Sequence, residues 1–146
     1  MKLLAILLCI IPVLCFSQTI KKPVQLINSG ILLSEGVSLH DKEQYDDAIA
    51  KFDLIDRNDT NYIDATYEKA LSLSKKKEYR KTIECLNKCF EENGGFGTSV
   101  YELMGSAYDE LELYDSAAMY FKKGIEIYPY HKGLRFNYGV CLNLSK

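Results

Sequence analysis

Three segments of the chain align residue for residue: Tyr45-Asp-Asp-Ala-Ile-Ala-Lys-Phe52, Tyr79-Arg-Lys-Thr-Ile-Glu-Cys-Leu86 and Tyr114-Asp-Ser-Ala-Ala-Met-Tyr-Phe121. The first two begin 34 residues apart and the next two 35. A fixed period in this range marks supersecondary units that stack because none can bury its apolar face alone. An array of this kind builds a surface for a partner and carries no chemistry by default.

A second set of positions agrees between the segments. If each tyrosine is counted as the seventeenth residue of a unit, Gly36, Ala70, Gly105 and Gly139 fall at the eighth. Glycine inside a helix costs about 1 kcal/mol relative to alanine, so three at one register need a packing reason. The twentieth positions, Ala48, Thr82 and Ala117, are also small. Small residues facing each other would let two antiparallel helices approach closely, as in a tight helical hairpin. In the second helix of each unit, positions 17, 20, 21, 24 and 28 form one apolar stripe at helical spacing, as in Tyr79, Thr82, Ile83, Leu86 and Phe90. No alternating strand pattern occurs, and the prediction is an all-α fold.

Local signals place the joints. Arg57-Asn-Asp-Thr60 separates the first two units, and Asn93-Gly-Gly-Phe-Gly97 carries the one inserted residue as a flexible turn. Ser99-Val-Tyr-Glu102 reads as a capping box opening the next helix, and Pro129 ends the helix before it. Lys132 to Leu144 repeats a first helix alone, with Phe136, Tyr138, Val140, Leu142 and Leu144 spread over more than one face. Such a helix caps the array, docks onto a second copy or a partner, since large exposed apolar patches mark interaction sites, or belongs to a longer array of which this chain is a piece.

Residues 1–17 stand apart. A basic start at Lys2, an apolar run from Leu3 to Leu14 and the small residues Cys15 and Ser17 have the layout of a secretory signal peptide. The run falls short of the roughly 20 apolar residues a membrane span needs. Cleavage would leave Gln18 as the new N-terminus and an exported protein, periplasmic or in the cell envelope, alternatively secreted. The remaining three cysteines, Cys85, Cys89 and Cys141, make no complete disulfide framework. With 18 basic and 20 acidic residues mixed along the chain, net −2, there is no electrostatic footprint for nucleic acid. The run Lys75-Lys76-Lys77 falls between helices and reads as solvated.

The periodic positions resemble the tetratricopeptide repeat, a 34-residue helix–turn–helix. The unit 98–131 carries most of the likeness: Tyr101, Met104, Gly105, Tyr108, Ala117, Phe121, Gly124 and Pro129 fall on signature positions. The unit 29–62 keeps Gly36, Leu39, Ala48 and Phe52 but has Glu35 where Leu is usual; the unit 63–97 keeps Ala70, Tyr79, Leu86 and Cys89 but departs at Thr66 and Lys69. The resemblance implies a right-handed α-solenoid of three repeats, after a lead-in over 18–28 and before a capping helix or incomplete fourth repeat over 132–146. It also implies a groove lined by the first helix of each repeat. Carried onto this sequence, its central candidates are Tyr67, Glu68, Leu71, Lys75, Glu102, Leu103 and Ser106. Six carboxylates belong to the same lining, Asp41, Asp64, Glu68, Glu102, Asp109 and Glu110, against the single Lys75. Such a lining repels a terminal carboxylate and suits a basic or apolar segment of a protein partner.

Catalysis finds little footing. No nucleophile elbow, phosphate loop or H-E-x-x-H motif is present. His40 and His131 lie near turns with no metal-ligand partner in sequence. Adjacent carboxylates such as Asp109 and Glu110 diverge by about 100° on a helix. The reading is a non-catalytic interaction module without cofactor or metal. The alternative is a thiol-dependent exported redox enzyme using Cys85 and Cys89, one helical turn apart, which requires thiols that are acidic and accessible.

Overall fold

A computed structural model describes residues 28–93 and 97–145. Its elements are seven helices, α1 Ser29–Asp41, α2 Tyr45–Phe52, α3 Tyr62–Lys75, α4 Tyr79–Asn93, α5 Thr98–Asp109, α6 Tyr114–Ile127 and α7 Lys132–Leu144, with no strand among the described residues. They pair as three antiparallel hairpins, α1/α2, α3/α4 and α5/α6, with α7 packed against α6 and α5. The signal-peptide and lead-in expectations fall on residues 1–27, and the centre of the glycine-rich turn on residues 94–96, outside the described residues.

All three hairpins turn by the same device. Glu43, Lys77 and Glu112 adopt positive φ of 61°, 61° and 60° at one register. The amide of the next residue then reaches back to a carbonyl in the last helical turn, Gln44 to Leu39, Glu78 to Leu73 and Leu113 to Tyr108, each at 2.9 Å. The left-handed residue's own amide bonds the next carbonyl along, as in Glu112 to Asp109 at 2.8 Å. This is the paired helix C-cap that usually employs glycine.

The glycines at the eighth position have a different neighbour from the one expected. A Cβ on Gly36 would run into the Phe52 ring, and one on Gly105 would sit 2.5 Å from the Phe121 ring. The demand comes from the ring at the twenty-fourth position rather than from the small residue at the twentieth. The middle hairpin supports this: there the pair is Ala70 with Leu86, both fully buried, a larger residue opposite a smaller one.

Each apolar cluster combines one hairpin with the helix that follows it. Leu32, Ala48, Phe52 and Ile55 close over Ala65 of α3; Ala70, Leu73, Cys85 and Leu86 close over Val100 and Met104 of α5; Tyr101, Ala117, Ala118 and Phe121 close over Leu134 and Cys141 of α7. The interior is thus a row of nearest-neighbour seams.

Three sequence expectations are corrected here. The apolar stripe does not extend through α2, which stops at Phe52; Asp56 instead accepts the Asn58 amide at 2.9 Å to make a turn, and Ile55 folds back into the core. The capping box at Ser99 does not form, because α5 already begins at Thr98 behind Gly97, which has no side chain to cap with. Lys76 is not a solvated lysine: it is ion-paired to Asp46 and, at 2.8 Å, to Glu78.

Candidate interaction groove

The curvature follows from which helices meet. At the backbone α1 approaches α3, α3 approaches α5 and α5 approaches α7, whereas the second helices, α2, α4 and α6, lie farther apart, α4 and α6 meeting through the rings of Phe90 and Tyr120, whose centroids are 6.0 Å apart. Closer backbone approach among the first helices than among the second curves the row toward α1, α3, α5 and α7, which form its inner side.

On that inner side, Tyr67, Glu68 and Leu71 of α3 and Glu102, Leu103 and Ser106 of α5 are all half-buried, while Lys75 at the end of α3 is exposed. Tyr67 and Leu103 also pack against the central apolar cluster, so they belong to both the groove and the core. Burial pushes the Tyr67 phenol above its ordinary pKa, against a hydrogen bond with Ser99 that holds it down. Burial likewise raises the Glu68 carboxyl, with Asp41 and Asp64 adding repulsion and His40 opposing them. The His40 ring is held by Ser72: the Ser72 hydroxyl donates to the Glu68 carbonyl at 3.1 Å, so it accepts at 2.8 Å from a proton on His40 Nδ1.

The six carboxylates of the lining divide into two groups. Three are engaged by the protein itself. Glu102 Oε1 lies 3.4 Å from His131 Nδ1 at the start of α7, where a carboxylate also complements the helix dipole. A Cβ on Gly133 would come within 2.7 Å of that oxygen, so the glycine makes room for it. Asp109 accepts from the Cys141 thiol at 3.7 Å, and Glu110 accepts from the Tyr79 hydroxyl at 2.9 Å. The other three, Asp41, Asp64 and Glu68, have no lysine or arginine ion pair among the described residues. Hydrogen bonds from a thiol or a phenol leave a carboxylate its charge, and His131 Nδ1 accepts from the Leu134 amide at 3.3 Å, so with no lysine or arginine ion pair to any of the six among the described residues the lining is acidic along its whole length. Sequence position alone gave all six the same weight, because their partners come from distant units.

The thiols do not support redox chemistry. Cys85 and Cys89 are buried and unbridged. Burial pushes Cys89 up to about 12 and Cys85 upward as well, so neither offers a thiolate near neutral pH. Burial beside Asp109 pushes Cys141 up to about 11. Burial and lowered acidity are the opposite of the accessible, acidic thiols that the thiol-dependent alternative requires. Among the described residues no group of three or more His, Cys, Asp or Glu is placed to hold a metal ion, and no helix is long and apolar enough to cross a membrane.

Residues 98–131 match the tetratricopeptide-repeat family model. The fold is that of the tetratricopeptide-repeat proteins. A tetratricopeptide-repeat protein from Parabacteroides merdae aligns with a TM-score of 0.74 at 18% identity, covering 86% of this chain and 48% of the other. The first tetratricopeptide-repeat domain of Spaghetti (RPAP3), solved bound to the HSP90 peptide SRMEEVD, aligns at 0.72 and 16% identity over 79% of this chain and 90% of that one. YrrB, described as a tetratricopeptide-repeat protein with an unusual peptide-binding site, aligns at 0.69 and 18% identity over 79% and 59%. No curated protein matches the sequence at a significant level.

Proposed function

We infer that this protein is an exported, non-catalytic scaffold that takes a segment of a protein partner into the groove lined by α1, α3, α5 and α7. The observation that carries the reading is the acidic lining, with Asp41, Asp64 and Glu68 at the α1–α3 end set beside the half-buried Tyr67, Leu71 and Leu103. A segment with one or two lysines or arginines followed by apolar side chains matches that layout. Cations would meet the carboxylates at the α1–α3 end, and apolar residues would cover Leu71 and Leu103. The SRMEEVD peptide bound by Spaghetti carries three carboxylate side chains, and this groove would repel such a ligand. Export rests on the signal-like layout of residues 1–17.

Two experiments test the reading. Screening a displayed random-peptide library against the protein should enrich sequences bearing Lys or Arg next to apolar residues. Binding of the enriched peptides should fall tenfold or more in Leu71→Glu and in the double variant Asp64→Lys, Glu68→Lys, and should weaken in Tyr67→Ala and Leu103→Ala. Lys88→Ala, on an exposed position of α4, should leave it unchanged. Enrichment of acidic peptides, or affinity indifferent to the groove changes, would sink the assignment. For export, mass spectrometry of the protein from its native host should find Gln18 at the N-terminus; a chain retaining Met1 would exclude cleavage.

A further inference from the structure

The pattern assigned to a groove ligand occurs in this chain itself. Residues 18–27 run Gln18-Thr-Ile-Lys-Lys-Pro-Val-Gln-Leu-Ile27: two adjacent lysines, no acidic residue, then the apolar Pro23, Val24, Leu26 and Ile27. This lead-in lies outside the described residues, but the point at which it joins the array does not. Asn28 caps α1 in an extended conformation, its side chain accepting from the Gly30 amide at 3.0 Å. Beside it, the Ser29 hydroxyl accepts from Asn61 Nδ2 at 2.9 Å. The start of α1 is therefore held against the start of α3, at one end of the acidic lining.

We propose, on the strength of the groove reading, that residues 18–27 fold back over α1 and occupy the α1–α3 end of their own chain's groove, so that a partner segment must displace them. Length permits this. Lys22 precedes Ser29 by seven residues, which an extended chain spans to about 23 Å. Glu68 stands seven residues along α3 from Asn61, and Asp41 twelve along α1 from Ser29, about 10 and 18 Å up their helices. Lys21 and Lys22 can therefore reach Asp41, Asp64 and Glu68, none of which has a lysine or arginine ion pair among the described residues.

Charge and apolar surface agree with length. Asp41 and Asp64 already repel the Glu68 carboxylate, and cations set among the three relieve that repulsion. Pro23 biases Lys22 toward extended backbone, in which successive side chains point to opposite sides. One lysine then faces α1 and the other α3. Leu33 and Val37 of α1 share the register of Tyr67 and Leu71 of α3 and are likewise half-buried. They stand between Ser29 and Asp41 on the helix, where Val24 and Leu26 cover them. A tether this short gives an effective concentration on the order of millimolar, which a second copy does not match at micromolar protein.

Backbone nitrogen-15 relaxation of the purified protein tests the contact without any added ligand. Amides of residues 21–27 should show order parameters in the rigid range, about 0.85, and fall below about 0.6 in the double variant Asp64→Lys, Glu68→Lys. Adding Lys21→Glu and Lys22→Glu to that variant should restore the order, and dilution of the parent should leave it unchanged. In the otherwise unaltered protein, Lys21→Glu, Lys22→Glu should bind library-enriched peptides at least tenfold more tightly with helical content unchanged, the gain expected if the lead-in fills the groove roughly nine-tenths of the time. Order that survives reversal of Asp64 and Glu68 would overturn the proposal. Order that develops only as concentration rises overturns it as well and assigns the contact to a second copy. A flexible lead-in, with peptides binding the parent and the lysine variant alike, overturns it while leaving the groove reading intact. An ordered lead-in released by the groove changes upholds it even if no library peptide binds, the result that sinks the wider role of the groove.

Discussion

At Gly36, Gly105 and Gly139 the same residue at one register meets two different fates. Gly36 and Gly105 each lie under a ring, so a methyl group there forces the ring out of its seat or the helices apart. Overpacking of this kind costs roughly 1–3 kcal/mol. Gly36→Ala and Gly105→Ala should lower stability by that order in urea titrations, whereas Gly139→Ala should raise it by up to about 1 kcal/mol. Equal effects at all three would mean that backbone propensity rather than ring contact governs the register. Glu78 carries a second prediction at this scale. Hydrogen bonds from Lys76 and then Lys81 hold its carboxyl down to about 2, from an ordinary 4.5. A depressed carboxyl favours the folded state at pH values above the unfolded pKa, and that advantage is lost as pH falls through the folded pKa. The parent should therefore exceed Glu78→Gln in melting temperature above about pH 5. The difference should shrink between pH 4.5 and 2, the interval set by those two values, and added salt should reduce it because the group is exposed.

Between helices, the shared left-handed residue is the least obvious feature of the turns. An L-residue held in that conformation costs roughly 1–2 kcal/mol, a cost glycine escapes. Glu43, Lys77 and Glu112 pay it in all three hairpins. Glu112→Gly should therefore stabilise the protein by about 1 kcal/mol, and Glu112→Val, with a β-branched side chain in the same place, should destabilise it. Chemical denaturation of the two variants decides the matter, and a stabilising valine would show that the turn does not require the conformation. α2 supplies the contrasting lesson: its apolar stripe runs out where Asp56 and Asn58 make a turn, so it stays at 8 residues while α4 and α6 reach 15 and 14.

Across the whole array, every seam joins neighbours, and no described hairpin touches one two places away. Stability in such a row is close to a sum of local terms, and its ends open first. Ile55→Ala removes a buried side chain from the seam between the first hairpin and α3. Its effect on amide hydrogen exchange should be confined to α1, α2 and the start of α3, with α5 and α6 protected as before. Uniform loss of protection along the chain would instead mean that the array unfolds as one unit.

Helix type, number and pairing were legible in the chain itself, because tyrosine, glycine and phenylalanine registers repeat at a spacing that only stacked hairpins satisfy. Tyr67, Leu71 and Leu103 lie half-buried on first helices. What the period could not convey was which of the matched residues are already occupied. Glu102, Asp109 and Glu110 meet His131, Cys141 and Tyr79, each about 30 residues away, and so are held in position while keeping their charge. The same holds for the three glycines, two filled and one open, and for the cysteines, whose burial removes the acidity their spacing left in play. A repeating sequence specifies the unit and its stacking, since those depend on local periodicity and apolar contact. Which carboxylates are hydrogen-bonded and which thiols are buried depend on contacts between units, and only the assembled array brings those side chains together.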